Sequence, residues 1–298
     1  MGRVAVLTDS TAGLDAQQAE RWGVGVIPLA VLNSEGELVD PSSQAVIEAV
    51  RGGAVLSTSQ PAHQDFVDAY SAAFDAGASE VVSVHISGGL SGTVAAAERA
   101  AQEFEAGRVR VVDSRTVGGA LGMSALAAAR LAQRGGEANL VRAAARDVAA
   151  RSRLFFAVDS LSHLHRGGRI GGASALVGSA LGVRPVLTVS EGKIAVQEVV
   201  RGRGRSLRHL AEHLANAAGA SRKIPRVSPG PVRICLQHVD ADAAVTEVEE
   251  RLAALLEGSD AHVVEILHTE CGPVLAAHAG PGAVAGSVTP VPPAEVAR

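Results

Sequence analysis

Short apolar runs alternate along this chain with longer segments whose apolar residues recur at helical spacing. The runs are rich in Val, Ile and Leu, a composition typical of buried strands. In the first half of the chain, strands are predicted at 3–7, 24–32, 80–86 and 109–112. Helices are predicted at 15–21 and 42–51, around 66–70, up to about 104, and twice more before 152. This alternation predicts a parallel sheet with helices on both faces.

The second half of the chain has a different pattern. Strands are predicted at 154–158, 185–189, 193–200, 232–236 and 262–267, and helices at 174–181, 206–218 and 241–255. The strands at 185–189 and 193–200 are joined by Ser190, Glu191 and Gly192, as in a β-hairpin. Residues 163–172 are expected to form a basic, glycine-rich loop, and 221–231, with three prolines, is the most linker-like segment. A chain of 298 residues can form two domains with separate cores, and we expect α/β domains at 1–152 and 153–298.

Composition narrows the classes of function. Hydrophobic residues make up 47% and charged residues 19%, as in an ordinary globular protein. Aromatic residues are only 2% and the formal net charge is −4, so nucleic-acid binding is not expected. Two cysteines are too few for a disulfide framework, and no His or Cys spacing indicates a metal site. We therefore predict no metal and no cofactor.

Two apolar segments lack the features of a membrane-spanning helix or a secretion signal. Asp9 interrupts the apolar run near the N-terminus, so a signal peptide is not expected there. The segment 117–131 is rich in Gly and Ala and is shorter than a membrane-spanning helix requires. We expect a cytoplasmic protein with at most transient membrane contact.

The stretch 85–99 carries the most distinctive chemistry. It joins a predicted strand to an alanine-rich helix through small residues, namely Ser87, Gly88, Gly89, Ser91, Gly92 and Thr93. Small residues allow a sharp turn, and the first N–H groups of a helix have no partner within it. Hydroxyl groups beside such N–H groups form a potential anion-binding site.

Other polar clusters permit two interpretations each. Residues 57–61 include Thr58 and Ser59, and Ser59 or Gln60 is expected near the N-cap of the next helix. Residues 9–11 either cap the helix at 15–21 or lie at a ligand-binding edge of the sheet. Arg169 belongs either to a flexible surface loop or to an anion site. The arginines of 201–208 form either a solvated turn or a docking patch for an acidic partner.

The phrase GGLSGT also suggests a serine nucleophile at a strand-to-helix turn. Thr93 stands where the hydrolase motif expects glycine, and a serine nucleophile needs a histidine base oriented by an acid. His278 with Asp9 or Asp113 could supply these groups, although the spacing does not indicate it. A serine-dependent acyl ester hydrolase using Ser91 is the alternative function.

Six motifs together resemble those of the DegV family of fatty-acid-binding proteins. They are TDST at 8–11, TSQP at 58–61, HIS-x-x-LSGT at 85–93, VVDS at 111–114, L-x-x-GGRI ending at Ile170, and GPV with H-x-GPG at 272–282. They span nearly the whole chain in the family's order. The resemblance implies two α/β domains, an N-terminal parallel sheet and a C-terminal mixed sheet, with the ligand between them.

The resemblance also implies a long-chain fatty acid with its tail in an apolar tunnel and its carboxylate on hydroxyl groups. The expected ligand-binding residues are Thr58, Ser59, Ser91, Gly92, Thr93, Arg169 and His278. Proteins of this kind present the acid to a separate ATP-dependent fatty acid kinase subunit, which forms an acyl phosphate, and are not enzymes alone. Arg201, Arg203 and Arg205 would face that kinase.

Some positions depart from the family pattern. Gly88 and Gly89 stand where serine is common, Val94 replaces an aromatic residue and Ala279 replaces a threonine. These departures leave Ser91 and His278 in place.

Overall fold

The computed structural model describes residues 2–176, 182–220 and 230–296. The strands in these ranges are β1 (Arg3–Asp9), β2 (Val24–Ile27), β3 (Ala30–Leu32), β4 (Ser57–Ser59), β5 (Ala78–His85), β6 (Val109–Asp113), β7 (Arg153–Ala157), β8 (Val186–Ser190), β9 (Lys193–Glu198), β10 (Val232–His238), β11 (Val263–Glu270) and β12 (Val284–Pro290).

The helices in the described ranges alternate with these strands. They are α1 (Ala16–Trp22), α2 (Ser43–Arg51), α3 (His63–Asp75), α4 (Thr93–Ala101), α5 (Gly119–Gln133), α6 (Ala138–Arg151), α7 (Ser162–Arg166), α8 (Arg203–Ala217), α9 (Asp242–Leu256), α10 (Pro273–Ala279) and α11 (Pro293–Val296). Short 3₁₀ turns lie at Ser10–Ala12 and Gly171–Leu176.

The protein consists of two α/β domains, as the sequence predicts. The N-terminal sheet is parallel, with strand order β2-β1-β5-β6. The C-terminal sheet is mixed, with strand order β11-β10-β12-β7-β8-β9, in which only β10 and β11 are parallel among the described strands. The expected hairpin is confirmed as β8 and β9. The exact domain boundary at 152 and 153 stays a prediction.

Helix α5 lies between the two sheets. It packs against β1 of the parallel sheet and also against β10 and β12 of the mixed sheet. Its residues from Gly119 to Ala129 are buried, as expected for a helix that is apolar on all sides. At Gly122 a Cβ atom would lie 2.5 Å from the carbonyl oxygen of Ala12, so glycine permits this close packing.

The remaining helices cover the outer faces. Phe66 and Tyr70 of α3 are fully buried against the parallel sheet together with the alanines of α4. Leu210 of α8 and Val248 of α9 are fully buried against the mixed sheet. The layers are therefore α3 and α4, parallel sheet, α5 and α6, mixed sheet, and α8 and α9.

Segment 28–59 reaches from the first domain to the second. Its strands β3 and β4 form a separate antiparallel pair, and α2 packs against α10. Val46 of α2 shares an apolar core with Val274, Leu187 and Ile194 of the C-terminal domain. This segment therefore places Thr58 over the mixed sheet.

Strand β12 and helix α10 are not among the predicted elements. β12 is nevertheless a central strand, antiparallel to both β10 and β7. Gly286 and Ser287 interrupt its apolar residues and weaken the strand pattern, and Gly286 packs closely against Leu214 of α8. Its strand conformation depends on neighbours that are distant in sequence.

Several local expectations were wrong. Helix α7 occupies the first half of the expected loop 163–172. The carboxylate of Asp15, not residues 9–11, caps α1, and Asp9 caps a 3₁₀ turn. Ala62 is the N-cap of α3, so Gln60 lies two residues before the N-cap, near it as expected. Most of the helix expected at 174–181, and 221–229 of the expected linker, lie outside the described residues.

Candidate functional site

An apolar cavity lies between the mixed sheet and the loops of the N-terminal domain. It has about 890 Å³ of space between atoms, including its mouth. Its apolar lining includes Leu29, Leu90, Leu154, Phe156, Val189 and Ile194. Five adjacent strands, from β10 to β9, contribute side chains, and four strand spacings of about 4.8 Å give a width of about 19 Å.

Four of the expected site residues converge on this cavity: Thr58, Ser91, Arg169 and His278. Oγ1 of Thr58 lies 2.8 Å from Nε2 of His278. Nε of Arg169 donates to the carbonyl oxygen of Leu90 at 3.1 Å, next to Ser91. A few convergent polar groups in a mostly apolar cavity are typical of a site for an amphipathic ligand.

The imidazole of His278 is held by close packing in the last turn of α10. A Cβ atom at position 167 would collide with this ring, so Gly167 makes room for it. Burial, with a smaller contribution from the Arg169 guanidinium, lowers the pKa of His278 to about 4. His278 is therefore neutral near pH 7, and Arg169 is the one cationic side chain among the described lining residues.

Two aspartates, Asp9 and Asp113, hold the loop that carries Ser91 by accepting hydrogen bonds from its backbone N–H groups. Oδ2 of Asp9 accepts from the backbone N–H of Ile86 at 2.9 Å, and Oδ1 of Asp113 accepts from that of Gly88 at 3.2 Å. At Gly89, a Cβ atom would lie 2.5 Å from the carbonyl oxygen of Gly192. Glycine at 89 thus lets the loop pack against the β8–β9 turn, which gives this departure from the family pattern a steric reason.

The other expected ligand-binding residues lie beside the cavity and do not belong to its described lining. Oγ1 of Thr93, which is fully buried at the start of α4, lies 2.8 Å from Oγ of Ser91. Gly92 packs against the side chain of Gln60, and the hydroxyl of Ser59 donates to the Gln60 carbonyl oxygen. Thr93 is therefore placed to orient Ser91, whereas Ser59 and Gly92 shape the adjoining turns.

Gln237 lines the cavity and was missed by the sequence analysis. It is 2% exposed and lies on β10, on the same face as Cys235. A polar residue two positions after Cys235, directly following the apolar run Ile234–Leu236, is the signal that could have identified it.

A Ser–His–Asp arrangement exists, but with other residues than the hydrolase hypothesis requires. Nδ1 of His85 lies 3.0 Å from Oδ2 of Asp9, and Nε2 lies 2.6 Å from Oγ of Ser83. Burial alone would raise the pKa of Asp9, but its hydrogen bonds and the neighbouring His85 outweigh that effect, so the pKa is lowered. Ser83 is fully buried and accepts from the Tyr70 hydroxyl, so substrate cannot reach it.

His278 contacts Thr58, while Asp113 accepts from the backbone N–H groups of Gly88 and Arg115. Neither aspartate is therefore engaged with His278 in a triad around Ser91. The hydrolase alternative is not supported.

The three arginines of the expected docking patch, Arg201, Arg203 and Arg205, are exposed around the start of α8. Arg203 forms an ion pair with Asp159 and donates to the carbonyl oxygen of Gly282 at 3.4 Å. Gly282 lies in the short connection between α10, which carries His278, and β12. The arginine patch is thus joined to the polar cluster through one short loop.

Across the described ranges, no group of three or more His, Cys, Asp or Glu side chains is arranged to hold a metal ion. No helix in those ranges combines the length and the apolar composition that crossing a membrane requires.

Comparison with known proteins identifies the family. The model of the DegV family matches residues 3–291, which is nearly the whole chain. The chain belongs to the DegV family. A DegV domain-containing protein of Deinococcus radiodurans is 40% identical over 293 residues, covering 97% of this chain and 99% of the relative.

Solved DegV structures have the same fold. A DegV family protein from Thermus thermophilus, described by its fatty acid binding, has a TM-score of 0.86 and 34% identity, covering 97% of this chain and all of that one. DegV from Bacillus subtilis, described as a fatty acid binding protein, has a TM-score of 0.83 and 28% identity, covering 98% and 100% of the two chains. These similarities confirm the fold class and the family expected from the sequence motifs.

Proposed function

We propose that this DegV family member binds a long-chain fatty acid in the cavity between its domains, with the carboxylate at the polar cluster. The observation that carries the proposal is an apolar cavity, about 19 Å wide across five strands, with hydroxyl, imidazole and guanidinium groups converging on it. The descriptions of solved relatives as fatty-acid-binding proteins support it.

The chemistry of the cluster suits a carboxylate. Hydroxyl groups of Thr58 and Ser91 can donate charge-assisted hydrogen bonds, and Arg169 supplies the opposite charge at the cavity wall. Burial keeps His278 neutral near pH 7, and an adjacent carboxylate favours its protonated form. Ser59, Gly92 and Thr93 act on these groups from the adjoining turns in this proposal.

We further propose that the chain is a non-catalytic subunit that presents the bound acid to a separate ATP-dependent kinase, with acyl phosphate as the product. Support comes from the exposed Arg201, Arg203 and Arg205, since Arg203 donates to the carbonyl oxygen of Gly282 in the loop that follows α10. An acidic surface on the kinase would complement them. A cytoplasmic location, expected from the sequence, agrees with such a partner.

The binding proposal is tested by denaturing extraction of the purified protein followed by mass spectrometry. A long-chain fatty acid in near-stoichiometric amount is expected. Absence of any lipid, together with failure of the delipidated protein to take up stearic acid in a calorimetric titration, would contradict fatty-acid binding.

The docking proposal is tested by Arg203→Glu combined with Arg205→Glu. Kinase-dependent acyl phosphate formation should fall at least about tenfold while fatty-acid affinity stays unchanged, because charge reversal at an interface rim mainly slows association. Arg99→Glu combined with Arg146→Glu is the control, since it makes the same change of four charge units at two exposed helical positions of the other domain. Equal rates for the two variants would exclude the arginine patch as the docking surface.

A further inference from the structure

A polar cleft lies between the end of helix α6, the loop that follows β6 and the turn that joins β8 to β9. It has about 1530 Å³ of space between atoms, including its opening to solvent. Its lining includes the charged side chains of Arg115, Arg153 and Glu191 and the hydroxyl group of Thr188. This cleft is therefore a second space between the domains, and its character is opposite to that of the apolar cavity.

Among the described residues, the cavity and the cleft share two lining residues, Leu154 and Val189. Phe155 lies opposite Thr188 in the antiparallel pair of β7 and β8, so this register places Leu154 opposite Val189. The Thr188 hydroxyl donates to the Leu154 carbonyl oxygen at 2.7 Å, which holds the two strands together at this point. The side chains of Leu154 and Val189 therefore form a thin apolar wall between the cavity and the cleft.

This wall lies away from the polar cluster along strand β7. The strand ends at Ala157 and leads through α7 to Arg169, and β12, which starts beside Ala157, follows α10 and His278. Leu154 lies three residues before Ala157, which is about 10 Å along the strand. Phe156, which also lines the cavity, lies between them on the same face as Leu154. An acyl chain that runs from the polar cluster along β7 therefore passes Phe156 and then meets the wall.

The strands at the two sides of the cavity differ in what they offer to a hydrocarbon chain. Strand β10 contributes the side chain of Gln237, whose Oε1 accepts from the backbone N–H of Gly119 at 2.7 Å. Strands β7 and β8 contribute Leu154, Phe156 and Val189. Because burial of apolar surface drives the binding of an acyl chain, we expect its methyl end on the side of β7 and β8.

We infer that Leu154 and Val189 close the far end of the acyl compartment and set the longest chain that the cavity accepts. This inference rests on the proposed fatty-acid binding. A longer chain has to displace the wall, and its end then enters a polar cleft that is open to solvent, where further CH₂ groups gain little from burial. A smaller side chain at either wall position joins the two spaces and removes this limit.

Calorimetric titration of the delipidated protein with saturated acids from myristic to behenic acid tests the inference. Affinity should rise about 4-fold with each CH₂ group up to a limiting length and then stop rising. Leu154→Ala should move this limit to chains about two carbons longer, because the space of the lost side chain becomes available. Leu29→Ala is the matched control and should leave the limit unchanged. Leu29 is 7% exposed, against 5% for Leu154, and it lines the cavity but does not belong to the described lining of the cleft.

A second ligand tests what lies behind the wall, namely the α,ω-dicarboxylic acid whose chain has the limiting length. The native protein should bind it at least about 100-fold more weakly than the monocarboxylic acid, because the second carboxylate would be buried among apolar side chains. Leu154→Ala should reduce this difference at least about tenfold, since the second carboxylate then reaches the solvent and Arg153 in the cleft. Leu29→Ala should keep the difference of the native protein.

Thermal unfolding verifies that the variants fold, and Val189→Ala, which truncates a half-buried side chain, replaces Leu154→Ala if that variant does not. A limiting length that stays the same in the wall variant, or that moves equally in Leu29→Ala, would overturn the assignment while fatty-acid binding stands. Equal affinity of the native protein for the dicarboxylic and the monocarboxylic acid would also overturn it, because the cavity would then already be open at this end. If no acid binds, both proposals fail.

Discussion

Acidification of the ligand-free protein should destabilise it through His278. The pKa of this imidazole is lowered from 6.5 to about 4, chiefly by burial and secondly by Arg169. Well above pH 6.5 the group is neutral in the folded and unfolded states, so it contributes nothing to the pH dependence there. Between pH 6.5 and 4 the unfolded chain binds a proton that the folded state excludes. The free energy of unfolding therefore falls as the pH falls through this window.

The size of the effect follows from the difference in pKa. One pKa unit corresponds to about 1.36 kcal/mol, so a decrease from 6.5 to about 4 gives a loss of about 3 kcal/mol, complete near pH 4. This is a large fraction of the stability of an ordinary domain.

Urea unfolding at steps from pH 7.5 to 4 measures this loss, with His278→Gln as the comparison. Glutamine retains a hydrogen-bonding partner for Thr58 but cannot titrate, so the native protein should lose about 3 kcal/mol more than the variant. His262→Gln, which removes an exposed imidazole, controls for the loss of one histidine. Parallel stability curves for the native protein and His278→Gln would refute the argument, because they would show that burial does not oppose protonation at this site.

Three substitutions test other parts of the structure. Ser91→Ala should weaken fatty-acid binding by about 1–3 kcal/mol, because the carboxylate loses a donor; unchanged affinity in calorimetry would remove Ser91 from the site. Glu295→Gln should cost about 3–5 kcal/mol of stability, because Glu295, 7% exposed, forms ion pairs with both Arg130 and Arg233. Urea unfolding followed by the fluorescence of the single tryptophan, which packs against Arg130, measures it, and a loss below about 1 kcal/mol would contradict a buried charge cluster. Asp9→Asn should lower the free energy of unfolding by about 1–3 kcal/mol. The carboxylate accepts from the N–H and hydroxyl of Thr11 and from the N–H of Ile86, and the variant replaces one of its oxygens by a donor. Equal thermal stability of the two proteins would show that the loop rearranges.

Sequence patterns predicted the elements whose conformation is determined by residues close together in the chain. The alternation of strands and helices before residue 152 and the hairpin of β8 and β9 follow from short-range periodicity and turn residues. β12 has only a weak signal, because Gly286 and Ser287 interrupt its apolar residues, and its strand conformation depends on pairing with β10 and β7. Helix α7 and the cap of α1 depended on single residues near element ends, where sequence patterns are weakest.

For the candidate site, too, some features follow from the sequence and others only from the tertiary structure. The sequence by itself determined which turns carry hydroxyl groups and glycines, and their order along the chain was specific enough to indicate the family. Only the tertiary structure brought Thr58, on a strand of segment 28–59, against His278 of α10, and it added Gln237 to the same cavity. The physical reason is that the cavity forms where two domains pack around α5, and packing joins residues whose separation in sequence carries no information about their distance in space.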